Sequence, residues 1–145
     1  MRRRIFAHTL GIFVLTAFQL VQAQQPGKIP RIGYLTAGDA VTRRYRIEAF
    51  RQGLKELGYV EGKNIIIEYR FADARPERLP ELARELVSSK VDVIFAGGGP
   101  ATEAAKNATQ MIPIVTSSQD PVSQRFVAGL PRPDKNITGL ANLSW

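Results

Sequence analysis

Three short segments concentrate the residues able to bind a small polar molecule: Thr36-Ala37-Gly38-Asp39, Gly97-Gly98-Gly99-Pro100-Ala101-Thr102 and Thr116-Ser117-Ser118-Gln119-Asp120. The middle segment is the most informative. An apolar, β-branched run over residues 91–96 stops at glycines and resumes at Pro100, which reads as a strand turning into a helix with Pro100 in its first position. The first turn of a helix leaves N–H groups without intrahelical partners, and the aligned peptide dipoles place partial positive charge there. A carboxylate or phosphate can be held at such a place without any basic side chain. Gly-Gly-Gly is equally consistent with a tight strand-to-helix turn and nothing more. Hydroxyls, free amides and the carboxylates of Asp39 and Asp120 suit a zwitterion whose carboxylate meets the helix terminus and whose ammonium meets Asp120 or Asp39. Asp120, standing before Pro121, also fits the N-cap of a following helix, and the two roles can coexist.

Side-chain catalysis finds little material. The chain has no cysteine, and its only histidine, His8, lies in the segment expected to be removed. That excludes a Ser-His or Cys-His nucleophile pair, a Cys/His zinc site and imidazole acid–base work in the remainder. Gly97-Gly98-Gly99-Pro100-Ala101-Thr102 lacks the third glycine of the dinucleotide fingerprint, and no Gly-Lys-Ser/Thr follows it.

The elements that must position these segments alternate. A strand is expected over residues 29–36, followed by a helix over residues 42–57 whose Ile47, Phe50, Leu54 and Leu57 form one buried stripe, with Gly58 at a left-handed C-cap. Residues 64–71 put Ile65, Ile67, Tyr69 and Phe71 on one face and Ile66, Glu68 and Arg70 on the other, the pattern of an edge strand. A second amphipathic helix carries Leu79, Leu82, Ala83, Leu86 and Val87 and ends near Ser89. The strand over 91–96 and an alanine-rich helix over 100–109 come next, then a fourth strand with Ile112, Ile114 and Val115 around Pro113, and Thr116 to Pro121 as its polar exit. A short helix is expected over 121–129, and then a turn at Pro131-Arg132-Pro133-Asp134-Lys135. Short links and this alternation predict an α/β fold, an open parallel sheet with helices on both faces. Ligands of such sheets sit outside the carboxyl ends of the strands, where all three candidate segments fall. Tyr34 and Phe95 read as core, Asp39 as solvated, and Asp92, at the start of a strand, as structural.

Met1-Arg2-Arg3-Arg4, the apolar residues 5–21 and the small residues around Ala23 make a secretory signal peptide over residues 1–23, cleaved near Ala23. The competing reading, a membrane anchor, is weakened by a short span interrupted by His8, Thr9, Thr16 and Gln19. Residues 24–145 form one domain, large enough to bury roughly two thirds of its unfolded surface. Losing three arginines from 20 Lys+Arg leaves 17 against 13 Asp+Glu, so the net charge falls from +7 to +4. Arg43, Arg44, Arg46, Arg51, Lys55, Arg78 and Arg84 are interspersed with Glu48, Glu56, Glu77, Glu81 and Glu85, the habit of solvated helix faces rather than of a nucleic-acid stripe.

Taken in order, the motifs resemble a known family. The run from Glu48 through Gly53-Leu54-Lys55-Glu56-Leu57-Gly58-Tyr59 to Gly62, then Asn64-Ile65-Ile66-Ile67-Glu68-Tyr69-Arg70, Leu79-Pro80-Glu81-Leu82-Ala83, Val91-Asp92-Val93-Ile94, Gly98-Gly99-Pro100-Ala101, Ile112-Pro113-Ile114-Val115, Asp120-Pro121-Val122 and Asn136-Ile137-Thr138-Gly139 resemble the first lobe of ABC transporter substrate-binding proteins related to tryptophan and tyrosine uptake. The resemblance implies a type I periplasmic binding fold, in which two α/β lobes close on a small solute and deliver it to a membrane permease. It implies no enzymatic activity, no cofactor and no metal, a periplasmic location, and a chain truncated to its first lobe. It maps ligand contacts to Thr36 and Ala37, to Gly98, Gly99, Pro100 and Ala101, and to Thr116 and Asp120. Gln119 and residues 123–126 depart from the family's small-residue pattern there. Two other readings stand beside it: a doubly wound enzyme acting on a nucleotide or sugar phosphate, which Asp, Glu, Lys or Tyr would have to serve, and the sensory domain of a regulator.

Overall fold

The computed structural model describes residues 27–118 and 136–141. Five strands, β1 (Arg31–Thr36), β2 (Ile66–Phe71), β3 (Val93–Gly97), β4 (Ile114–Ser118) and β5 (Ile137–Ala141), form one sheet in the order β2-β1-β3-β4-β5. All four pairings are parallel. Helix α1 (Arg44–Glu56) links β1 to β2, α2 (Leu79–Ser88), entered through a 3-10 turn at Pro76–Arg78, links β2 to β3, and α3 (Gly99–Ala108) links β3 to β4. The expected α/β fold and the edge position of β2 are both present.

Side-chain alternation divides the core between the two faces of the sheet. Leu35, Ile94, Ala96, Ile114 and Ile137 meet Leu79, Leu82, Ala83 and Leu86 of α2 and Ala101, Ala104 and Ala105 of α3. On the other face Tyr34 and Ile67 meet Ile47 of α1, with Phe50, Leu54, Tyr69, Phe71 and Phe95 packed around them. Gly33 lets α2 come close, because a Cβ there would lie 2.9 Å from Leu86 Cδ1.

Several expectations are corrected at their edges. β1 begins at Arg31, one residue after Pro30, which has no N–H to give to a ladder. Leu57 is 75% exposed rather than part of the buried stripe, because α1 ends at Glu56. There Tyr59 N donates to Leu54 O (2.9 Å) and Gly58 N to Lys55 O (3.0 Å), a Schellman closure with Gly58 at φ 87°. The expected exit Thr116-Ser117-Ser118 belongs to β4, whose Thr116 and Ser117 stand opposite Ala96 and Gly97. β5 was not expected as a strand, and its entry is held by Asn136, whose Nδ2 donates to Ile112 O (2.7 Å) and Thr109 O (3.3 Å). The segment over residues 1–23 and the helix expected over 121–129 lie outside the described residues.

Asp92 has the structural role expected of it. Its carboxylate accepts from Lys28 Nζ at 2.6 Å and from Arg31 N at 2.8 Å, joining the start of β1 to the start of β3, and the Lys28 bond, then the Arg31 N–H, hold it below the usual carboxylate range. Burial pulls the Glu68 carboxyl upward, but the Arg31 side chain, bonded to it, leaves it lowered as well. A native pKa below the unfolded one adds stability that is fully present above the unfolded value and is lost as pH falls through the native value. The urea midpoint is therefore expected to fall between about pH 5 and about pH 3, and Asp92→Asn is expected to make that fall shallower. Urea titrations at stepped pH check this; equal slopes for the two proteins would contradict it.

Candidate functional site

The order of the sheet reverses at β1, whose neighbours β2 and β3 are reached by connections running in opposite directions, and such a switch point opens a crevice at the carboxyl ends of the strands. Register places one residue from each strand in a row along that rim: Phe71, Thr36, Gly97, Ser117 and Leu140. Thr36 and Gly97 are direct partners across the switch point, so the first and second candidate segments meet there. Gly97 gives onto Gly98, whose φ of 102° and ψ of 166° are open to glycine and strained for other residues. The chain turns there into α3, which starts at Gly99 with Pro100 second rather than first. Gly99 and Ala101 therefore present N–H groups that cannot pair within the helix, Pro100 having none, and Thr102 N makes the first helical bond, to Gly98 O at 3.0 Å.

Hydroxyls buried behind this turn hold it in place. Thr102 Oγ1 donates to Gly98 O at 2.9 Å, which leaves Thr116 Oγ1 as the donor in its 2.6 Å bond to Thr102 Oγ1. Both residues are fully buried. The Thr116 hydroxyl thus ties β4 to α3 from behind and does not face the rim, because residues 114, 116 and 118 point toward α2 and α3; Ser117 is its neighbour on the open side. Thr102→Val is expected to cost about 1–3 kcal/mol by leaving the Thr116 hydroxyl and Gly98 carbonyl short of partners, while Thr102→Ser stays close to the parent. Chemical denaturation of the two variants checks the order, which a valine as stable as the serine would reverse.

The β1 exit is braced as well. Ala72 N donates to Thr36 O (3.0 Å) and Ala74 N to Ala37 O (2.9 Å), with Asp73 and Ala74 in the left-handed region at φ 53° and 59°. Thr36 is buried and its Oγ1 accepts from Gly38 N at 3.4 Å; Ala37 is half-buried. Asp39 is half-buried, and its carboxylate is engaged rather than merely solvated: it accepts from Val41 N (2.9 Å), Thr42 N (2.8 Å) and Thr42 Oγ1 (2.8 Å), and the Thr42 N–H and hydroxyl hold it below the usual carboxylate range. Asp39 thus turns the chain toward α1. Of the residues mapped to ligand contact, Gly98 and Gly99 are half-buried at the rim, Pro100 is exposed, Ala101 is fully buried and can contribute only its main chain, and Asp120 lies outside the described residues.

Below the rim, on the α1 side, lies a cavity of about 440 Å³ that the sequence did not suggest. Tyr34, Phe50 and Phe95 line it with Thr36, Gly97 and Ser117, and Arg43 and Arg46 edge it. Tyr34 stacks on Phe95 (centroids 5.1 Å apart) and meets Phe50 edge-on at 5.3 Å. Tyr34 is core, as expected, whereas Phe95 is half-buried and part of the cavity wall. Burial raises the Tyr34 hydroxyl pKa, with Arg43 and Arg46 pulling the other way. These two arginines flank an apolar cavity and are not merely the solvated helix face expected of them.

A curated tyrosine-binding protein of Clostridioides difficile (strain R20291) is 35% identical over 96 residues, 66% of this chain and 28% of that protein. Among solved structures, a conserved domain protein from Vibrio cholerae is 32% identical with a TM-score of 0.74, matching 79% of this chain and 39% of that one. The ligand-free, open structure of a substrate binding protein with adhesive properties from Clostridium difficile is 30% identical with a TM-score of 0.72, matching 78% and 39%. The chain thus spans about two fifths of the solved structures and less than a third of the curated relative. Residues 35–145 match the family described as ABC transporter substrate binding protein, a family of binding proteins rather than enzymes, and the chain belongs to it.

Proposed function

We propose that this chain is the first, solute-gripping lobe of an extracytoplasmic receptor for an ABC importer, that it is exported by the segment over residues 1–23, and that its solute is an amino acid. The observation that carries the reading is the meeting of Thr36, Gly97 and Ser117 in one register row beside the unpaired N–H groups of α3. A solute carboxylate is held by Gly99 N–H and Ala101 N–H at the positive end of the α3 dipole, with Pro100 limiting the approach of water. Thr36, Ala37, Gly98 and the Ser117 hydroxyl border the same spot, Thr116 acts from behind through Thr102, and Asp120, outside the described residues, is assigned to the ammonium by its carboxylate chemistry alone. A tyrosine-binding relative favours amino acids over phosphorylated solutes.

One helix terminus contributes about 0.3–1 kcal/mol, rising to about 2 kcal/mol when partly buried. With about 1.5–3 kcal/mol from a hydrogen bond to a charged solute group added, a single open lobe is expected to bind in the millimolar range, near 4 kcal/mol, and micromolar capture near 8 kcal/mol requires a second lobe to exclude water and add contacts. Titrating tyrosine, tryptophan and leucine into the isotopically labelled chain is expected to shift the amide resonances of Ala37, Gly99 and Ser117 at millimolar concentration. Shifts confined to other regions, or none from any amino acid, would remove the reading. Submicromolar binding by this chain alone would remove the need for a second lobe.

A further inference from the structure

Strand β2 ends the sheet on its side, and among the described residues nothing pairs with its outer edge past Ile65. Its ladder fixes which groups point outward. Ile66 N donates to Pro30 O (2.9 Å) and Ala72 N to Thr36 O (3.0 Å), so the even positions serve β1 and the main chain of Ile67, Tyr69 and Phe71 faces away from it. At Ile65 the outward carbonyl is closed by Gly62 N at 3.0 Å. At Tyr69 it is reached from outside the sheet, by Arg70 Nη1 at 3.0 Å. In sequence, residues 119–135 lie between β4 and β5, which stand at the other end of the sheet. Side chains alternate along the open edge: Ile67, Tyr69 and Phe71 lie on the α1 side, and Ile66, Glu68 and Arg70 on the α2 side, where Arg70 Nε is 2.8 Å from Glu85 Oε2 of α2.

We propose that β2 is a self-association edge, which pairs antiparallel with β2 of a second copy of this chain about a two-fold axis at Tyr69 and joins the two sheets into one. Charge selects both the occupant and the register. With Tyr69 opposite Tyr69, Ile67 and Phe71 stand opposite each other as hydrogen-bonded pairs, and each Glu68 faces Arg70 of the other copy in a non-hydrogen-bonded pair, where side chains come closest. Sliding one copy by two residues sets Glu68 against Glu68 or Arg70 against Arg70, and either juxtaposition repels. The edge is thus guarded against indiscriminate pairing and complementary to itself in one alignment. Pairing replaces the Arg70 bond to Tyr69 O with the Tyr69 N–H of the other copy, and so frees Arg70 Nη1 for Glu68. Ile66, 40% exposed, comes opposite Ala72. Antiparallel pairing also turns the two rims to opposite ends of the joined sheet, so neither copy covers the other's rim.

Sedimentation of the full chain is expected to show a monomer at micromolar concentration and a mass approaching two chains toward millimolar, the behaviour of a small transient interface. Over the same range, amide exchange at Tyr69 and Phe71 should slow by about fivefold or more, with the Gly53 amide of α1 unchanged. Arg70→Glu is expected to weaken association about tenfold or more, and Glu68→Arg likewise. An equimolar mixture of the two variants should restore it, because each chain then meets only opposite charges. The chain has no cysteine, so a single introduced thiol reads the register. Under oxidation Tyr69→Cys should give a covalent dimer, its two Cα atoms lying about 5.5 Å apart across the axis. Ile66→Cys, about 20 Å from its copy in this alignment, should not. A chain that stays monomeric at every concentration overturns the proposal, as does a dimer whose Tyr69 amide exchanges as in the monomer. Equal cross-linking at positions 66 and 69, or a mixture no stronger than either charge variant, overturns it as well. If Glu68→Arg does not fold, the parent's exchange and the cross-linking decide. Solute-induced shifts at Gly99 arise at the rim and pass or fail independently of pairing at β2.

Discussion

Gly98→Ala is expected to abolish the amino-acid-induced shifts at Gly99 and Ser117 while leaving a folded chain that is about 1–3 kcal/mol less stable. A Cβ at position 98 would meet nothing within 4 Å, so the cost is conformational and not steric: at φ 102° and ψ 166° only glycine is at ease. An alanine that relaxes to negative φ rotates the peptide unit between positions 98 and 99. The Gly98 carbonyl then leaves Thr102 N and Thr102 Oγ1, the two donors that set the axis of α3, and the N–H groups of the first turn swing away from Thr36 and Ser117. Gly53→Ala, at an exposed position inside α1 with equal room for a Cβ, has the opposite expected sign and should stabilise by about 0.4–1 kcal/mol. Urea denaturation and amide spectra of the two variants form the measurement. A Gly98→Ala chain that keeps its stability and its response to solute would mean that the aim of α3 does not matter to binding.

The rim was legible in the sequence because punctuation there is chemical. Gly97-Gly98-Gly99-Pro100 can hardly be anything but a strand end and a helix start, and the alternation of Ile65, Ile67, Tyr69 and Phe71 against Glu68 and Arg70 marks a strand with one open face. The cavity was not legible, because it exists only in the register: Tyr34, Phe95 and Phe50 come from two strands and a helix, and nothing in their spacing says that they touch. Arg43 and Arg46 carry no mark separating them from the solvated cations along the same helix. Thr116 misled for a different reason. A polar run after two β-branched residues reads as an exit, yet Thr116 is a strand residue whose hydroxyl is satisfied inside the core by Thr102, fourteen residues away and on another element. Local composition reports what a residue prefers, and the partner that overrides the preference is visible only once the strands are paired.

Gly139→Ala is expected to be the most damaging single methyl that can be added to the sheet. A Cβ at Gly139 would fall on the carbonyl oxygen and Cγ2 of Thr116, its ladder partner, and a backbone carbonyl cannot swing aside as the end of a long side chain can. β5 has to move away from β4, which opens the pairings from Ile114–Ile137 to Ser118–Ala141 and uncovers Ile137, now 3% exposed. Asn136 follows, since its carbonyl accepts from Ile114 N at 2.7 Å and its side chain clamps Ile112 O and Thr109 O at the entry to β4. Overpacking alone costs about 1–3 kcal/mol. Loss of the strand pairing adds to this, so a total above about 3 kcal/mol is expected, a large share of the 5–15 kcal/mol that holds a domain of this size. The same reasoning gives the Asn136-Ile137-Thr138-Gly139 motif a structural cause: an asparagine to clamp the loop, a buried isoleucine, and a glycine where the neighbouring strand leaves no room for a side chain. Hydrogen exchange should locate the damage, with the Ile114 amide losing protection while the Tyr34 and Leu35 amides of β1 keep theirs. A variant within about 0.5 kcal/mol of the parent, or uniform loss of protection across the sheet, would show that β5 is not held at that point of contact.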